Sequence, residues 1–247
     1  YYQLAQAPGK LNQNNSLGPW MQKAGYRTGF VGKFLNDYGT LDPKEVPPGW
    51  NSWQGLIDQS TYDYYNFAMN LNGKVKYWGD PDYAKQQLKL GTLAANDAPT
   101  SFAEFLALFH EAFPVWDYFG TEVPADYTMD VNGRMANDFV RNSSSSRKPF
   151  FLYYAITLPH GTFEIDDLGI YKDKPWTATQ KNYAAMVTRL DSDVGRLLSL
   201  LKELGIDENT LVMLSGDNGS SFAAESEIGR LFDQSMGGRL RGFKRGL

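Results

Sequence analysis

The sequence predicts an α/β fold with a central, largely parallel sheet, and three observations carry that prediction. "PFFLYYAIT" and "TLVML" read as continuous apolar runs of the kind buried parallel strands use. A long amphipathic helical pattern separates them, and strand, helix, strand in this order predicts a right-handed crossover with the two strands paired in parallel. The third is the placing of chemistry-bearing residues: Lys33, His160 and the pair Asp217 and Asn218 each fall just past the carboxyl end of an expected strand. In open α/β sheets ligands bind there, so three separated segments are expected to converge on one crevice.

The elements follow in chain order. Ser16 is placed to cap a short helix through Ala24, with Pro19 tolerated in the first turn and Gly25 suited to end it. "RTGFVGK" reads as a strand ending in Gly32 and Lys33. Residues 40–82 are rich in Pro, Gly, Asn, Tyr and Trp, which predicts loops and a hairpin turning at Asn72-Gly73. Residues 83–125 carry no recognisable pattern beyond the helix-like "TSFAEFLALFHEAF" and are read as an insertion.

Asp126 is a candidate cap for a helix that puts Tyr127, Val131, Met135 and Phe139 on one face, and "NSSSSRK" then predicts a polar turn into the apolar strand. Thr177 and Gln180 form a capping box. From there Tyr183, Val187, Leu190, Val194, Leu197, Leu201 and Leu204 make one apolar stripe, and Gly205 suits the left-handed position that ends a helix.

Composition narrows the function. The 247 residues include 42% hydrophobic and 15% aromatic side chains, enough for a packed core, and a net charge of −4 provides no global basic field to hold nucleic acid. There is no cysteine, which excludes disulfides, thiolate metal sites and a cysteine nucleophile within these residues. No apolar run is long enough to span a bilayer. The chain begins without methionine and stops after a Gly-rich basic stretch, so an interior piece of a longer protein is expected.

Each candidate site residue has a plain alternative. Asp217 and Asn218 are hard oxygen ligands for calcium or magnesium, and equally the residues of an Asx turn. His160 fits a proton donor to a leaving group or a structural role beside an apolar run; His110, inside its helical pattern, is read as structural. Lys33 suits sulfate or phosphate as a point charge if the site is closed, and otherwise points into water. The tail "GGRLRGFKRGL", with Arg239, Arg241, Lys244 and Arg245, fits a solvated basic loop, a nucleic-acid patch or a loop around an oxyanion.

Taken in order, "AGYRTGFVGKF", "FFLYYAITLPH", "YAAMVTRLDSDVGRLLSLLKELGIDENTLVMLSGDNG" and "LRGFKRG" resemble four stretches of the sulfatase family, within the alkaline phosphatase superfamily. "GKFLNDYG", "VPPGWNSWQGL" and "YYNF" are most similar to its N-acetylglucosamine-6-sulfatase branch, while "YKDKPW" and "YAAMVTRLD" are equally similar to arylsulfatase-type members. The resemblance implies an alkaline-phosphatase-like three-layer α/β/α fold, with residues 1–247 forming part of a catalytic domain. It implies calcium bound by Asp217 and Asn218, sulfate contacts from Lys33, His160 and Lys244, and a bracing role for Arg241.

Departures from the family pattern shape the expectation further. The formylglycine nucleophile of the family arises in a C/S-x-P-S-R motif, which this sequence does not contain, and an upstream Asp-Asp pair that completes the calcium site is missing. The histidine that many members carry shortly after Gly-Lys is absent; Asn36 is the expected substitute, contacting substrate. The expected function is therefore part of a sulfuric ester hydrolase acting on sulfated sugars, exported by family habit and inactive as this chain alone. Two alternatives stay open: a phosphodiesterase or phosphate-transferring enzyme of the same superfamily, and a non-catalytic glycan binder using the aromatic segment from Trp50 to Trp78.

Overall fold

The computed structural model describes residues 12–80, 126–146, 148–218 and Ile228. The expected insertion at residues 83–125, together with Lys244 and the rest of the basic tail, lies outside them. The chain divides into two compact units, Tyr1–Thr157 and Leu158–Leu247.

The first unit holds a five-stranded sheet. Its strands are β1 (Arg27–Lys33), β2 (Ser52–Leu56), β3 (Phe67–Leu71), β4 (Lys74–Trp78) and β5 (Phe150–Ala155), in the order β4-β3-β2-β1-β5. β1 pairs in parallel with both neighbours, Phe30 lying opposite Trp53 on one side and Tyr153 on the other. Beyond β2 the pairings are antiparallel. The architecture is thus mixed α/β with a parallel centre. The hairpin turns at Asn72 and Gly73, with φ of 51° and 87°, the left-handed pair that a two-residue turn matching strand twist requires.

Alternation along β1 decides what covers each face. Gly29 faces α2 (Thr128–Ser144), where an added Cβ would lie 2.5 Å from the Phe139 ring, so absence of a side chain is what lets this helix seat. Val131 and Met135 of the same helix pack with Leu56, Phe67, Leu71, Met69 and Trp78. Phe30 points the other way into an aromatic cluster with Tyr38 and Trp53, flanked by Phe34 and Trp50. Phe30 and Trp53 stack with centroids 4.4 Å apart, and all three cluster centres are at most 2% exposed. Each such side chain contributes about 1.5–3 kcal/mol on burial.

Several expectations are corrected at element ends. Helix α1 (Leu17–Lys23) follows Ser16, but the Ser16 hydroxyl donates to the Gln13 carbonyl at 2.7 Å instead of capping the helix. Tyr127, not Asp126, stands at the start of α2; the Thr128 N–H donates to the Tyr64 carbonyl at 2.8 Å, and Asp126 pairs with Arg134 at 3.3 Å. The first serines of "NSSSSRK" extend α2 to Ser144. β5 is half-buried, not fully buried, with Tyr153 47% exposed, because it is the outermost strand on its side of the described sheet.

The second unit is dominated by α3 (Ala178–Glu203). Its capping box is present as expected: the Gln180 N–H donates to Thr177 Oγ1 at 3.3 Å and the Thr177 N–H to Gln180 Oε1 at 3.1 Å. Gly205 follows with φ of 66°. The expected strand "TLVML" is not formed. Residues 210–214 carry no strand, and Leu211, Val212, Met213 and Leu214 are 86%, 46%, 83% and 70% exposed. A parallel strand has no hydrogen bonds of its own and needs a paired neighbour, and the described residues of this unit contain no strand.

Candidate active site

Lys33 ends β1, in register with Leu56 of β2, so the strand pairing fixes where its backbone stops. Its ammonium donates to Asn36 Oδ1 at 2.6 Å and to the Phe34 carbonyl at 3.0 Å, and sits 5.9 Å from the centre of the Tyr62 ring. The bond to Lys33 fixes the Asn36 amide: Oδ1 accepts from the cation, so the amide NH2 faces away from it. Lys33 and Asn36 together present donors, the complement of an oxyanion.

The turn that carries this pair is held from behind. Asp37, with φ of 69°, takes a left-handed conformation that Asp tolerates better than most residues, and its N–H donates to Asp58 Oδ2 at 2.5 Å. The Asp58 N–H in turn donates to the Tyr38 carbonyl at 2.9 Å. The Tyr38 hydroxyl, fully buried, accepts from Trp53 Nε1 at 2.6 Å and Asn70 Nδ2 at 3.0 Å and donates to the Glu45 carbonyl at 2.6 Å. A Lys-bearing turn is thereby tied to β2 and β3 by a hub whose partners Glu45, Trp53 and Asn70 lie 7, 15 and 32 residues away in sequence.

In the second unit, exposed His160 follows Pro159, and its Nδ1 lies 2.6 Å from the Gly161 carbonyl oxygen. A carbonyl only accepts, so in this contact Nδ1 carries the proton. Asp217 and Asn218 are both exposed, side by side on a bend after Gly216, with Ser215 Oγ donating to the Gly216 carbonyl at 3.0 Å. Among the described residues no three His, Cys, Asp or Glu side chains form a metal-holding group. Of the residues expected from the sequence, Lys33 and Asn36 are joined directly. Tyr38, Asp58 and Tyr62 were not expected, and nothing local in sequence marks them.

A model of the sulfatase family matches residues 1–245. The N-acetylgalactosamine-6-sulfatase of Rattus norvegicus is 31% identical over 239 residues, covering 96% of this chain and 38% of the rat protein. The extracellular sulfatase SULF-1 homolog of Drosophila melanogaster is 29% identical over 217 residues, covering 84% of this chain and 18% of its own length. The crystal structure of the yidJ protein of Bacteroides fragilis superposes with a TM-score of 0.51 at 16% identity, over 81% of this chain and 43% of that one, a likeness of fold. The chain spans less than half the length of each. With one family model reaching from the first residue to residue 245 and a rat sulfatase aligned to nearly all of the chain, this chain belongs to the sulfatase family.

Proposed function

We propose that the chain is part of the catalytic domain of a sulfuric ester hydrolase whose whole protein cleaves sulfate esters of sulfated sugars. The family match over residues 1–245 carries this reading. The names of relatives support the substrate class: besides the N-acetylgalactosamine-6-sulfatases there is an endo-4-O-sulfatase of Bacteroides thetaiotaomicron, 23% identical over 239 residues. Export is the proposed destination, in line with the extracellular sulfatase from Drosophila melanogaster. Among the described residues no helix is long and apolar enough to cross a membrane.

In this reading the Lys33 ammonium holds a sulfate oxygen, exchanging one of its present contacts in the turn for it. Asn36 contacts substrate through the NH2 that its bond to Lys33 leaves facing outward, and so supplies a donor that does not titrate. As the imidazolium, His160 gives its Nε2 proton to the leaving sugar oxygen and returns to the neutral ring, while Nδ1–H on the Gly161 carbonyl keeps it oriented. Lys244 is proposed as a second sulfate contact.

Calcium fits the donors by chemistry: Asp217 and Asn218 present hard oxygens on an exposed, glycine-flanked bend. Those two residues would hold the ion, and when bound it neutralises charge on the sulfate. Two side chains fill only part of a calcium shell of six to eight oxygens. The nucleophile, a formylglycine, we place outside these residues, because the chain has no cysteine and no C/S-x-P-S-R motif. The 247-residue chain alone is therefore inactive in this reading; release of product from a chromogenic aryl sulfate by the purified chain would overturn that part. The whole protein should hydrolyse sulfated N-acetylhexosamines in preference to the matching phosphate esters, and a preference for phosphate would overturn the assignment.

A further inference from the structure

The stretch "YKDKPW", residues 171–176, has no part in the chemistry proposed above. Tyr171 closes the short turn Gly169–Tyr171, and its ring stacks on Trp176 with centroids 5.6 Å apart and planes 22° from parallel. Both residues are partly exposed, and Ile170 beside them is 77% exposed. The chain between the two rings carries Lys172 and Lys174, both exposed.

This pair is held in place. The Tyr171 hydroxyl bonds Thr188 Oγ1 of α3 at 3.0 Å, and Lys181 Nζ donates to the Lys172 carbonyl at 2.8 Å. Trp176 directly precedes Thr177, whose capping box fixes the backbone at that point. The entropy of ordering two aromatic rings is thus met by the fold and not by a ligand.

Between the two rings, at residues 172–175, two lysines against one aspartate favour an anion. The exposed Asp166 and Asp167, in the turn that precedes Gly169, each accept one backbone N–H, from Asp167 and Gly169, at 2.9 and 2.8 Å. A stacked aromatic pair offers a flat apolar face with polar edges, and the C–H face of a pyranose lies on such a face. Lysines at its border distinguish a sulfated sugar from a neutral one.

We infer that Tyr171, Trp176, Lys172 and Lys174 form a carbohydrate-binding surface of the second unit that takes a sulfated sugar of a polymeric substrate. The inference deepens the reading of the protein as a sulfated-sugar hydrolase and rests on it. The rings supply contact area; the lysines supply selection for sulfate.

The test is binding of a chondroitin sulfate hexasaccharide to the 247-residue chain, followed by calorimetry, with desulfated chondroitin as control. Trp176→Ala should weaken binding about tenfold, Trp176→Phe should retain most of it, and Lys172→Glu with Lys174→Glu should abolish the preference for the sulfated chain. Circular dichroism checks that each variant is folded. Equal binding by wild type and Trp176→Ala, with only melting temperature lowered, would reduce the ring pair to a structural staple and overturn the inference. Binding lost in Lys33→Ala but unchanged in Trp176→Ala would overturn it while supporting the proposed role of Lys33. Equal affinity for sulfated and desulfated chains would overturn it as well.

Discussion

Replacing Tyr38 by Phe removes one oxygen from the hub behind the Lys33 turn, and the consequences can be followed atom by atom. The ring's edge contacts with Trp53 and Phe34, at centroid distances of 5.3 and 5.6 Å, are kept. Asn70 Nδ2 loses one acceptor but retains the Glu45 carbonyl at 2.8 Å, and that carbonyl in turn keeps a donor. Trp53 Nε1 has no second acceptor among the described residues, and Trp53 is fully buried. The loss is therefore the full cost of a buried orphan donor, about 1–3 kcal/mol, and not merely the net worth of one exchanged hydrogen bond. For a chain of this size that corresponds to a fall in melting temperature of roughly 2–12 °C.

Urea unfolding of wild type and Tyr38→Phe, at constant m-value, measures the difference. Trp53→Phe supplies the partner experiment: with the indole N–H already gone, the Tyr38 change should cost about 1 kcal/mol less than it does in wild type. A Tyr38→Phe effect below about 0.5 kcal/mol, or identical effects in both backgrounds, would refute the orphaned-donor account.

Four further outcomes are expected. Gly29→Ala drives a Cβ into the Phe139 ring and should destabilise by about 1–3 kcal/mol in chemical denaturation, while leaving far-UV dichroism unchanged. Thr177→Ala removes the capping box of α3 and should cost about 1 kcal/mol, with a matching loss of helical signal on heating. Burial raises the Tyr183 phenol above its ordinary 10.0, so the unfolded chain ionises first; stability should be level below about pH 10 and fall as pH rises through the higher folded value, and Tyr183→Phe should flatten that decline. In the whole protein, Lys33→Ala should lower kcat/KM for a sulfate ester by about 10²–10³-fold, the scale for losing one oxyanion donor; a change under threefold would remove Lys33 from the site.

Sequence legibility followed the range of the interactions concerned. The capping box at Thr177 and Gln180, the turn at Asn72-Gly73 and Gly205 after α3 were readable because each is closed within a few residues. Asp126 was misplaced as a cap because the actual partner of the helix start is Tyr64, far away in sequence and unmarked by any motif. "TLVML" has the composition of a buried strand, but composition reports only willingness to pair, and a strand exists only beside another. Within the candidate site, Lys33 was read from the end of its strand and Asn36 from the family resemblance, while the bond between them comes from the short turn that joins them. The hub of Tyr38, Glu45, Trp53 and Asn70 was not legible, since it assembles only after β2 and β3 are in register.

The strand order also sets an order of assembly. β2, β3 and β4 are joined by short connections, so the β4-β3-β2 side of the sheet closes small loops and forms from local contacts. The other seam of β1 waits for Phe150: closing the chain from Lys33 to there, instead of to Ser52, costs about 1.5 kcal/mol more in loop entropy. During synthesis β1 leaves the ribosome long before β5, and until β5 arrives the edge of β1 that later receives it is open. The strand that delivers Lys33 is therefore the point at which a nascent chain is most exposed to mispairing, and a chaperone acting on this fold would protect that edge first.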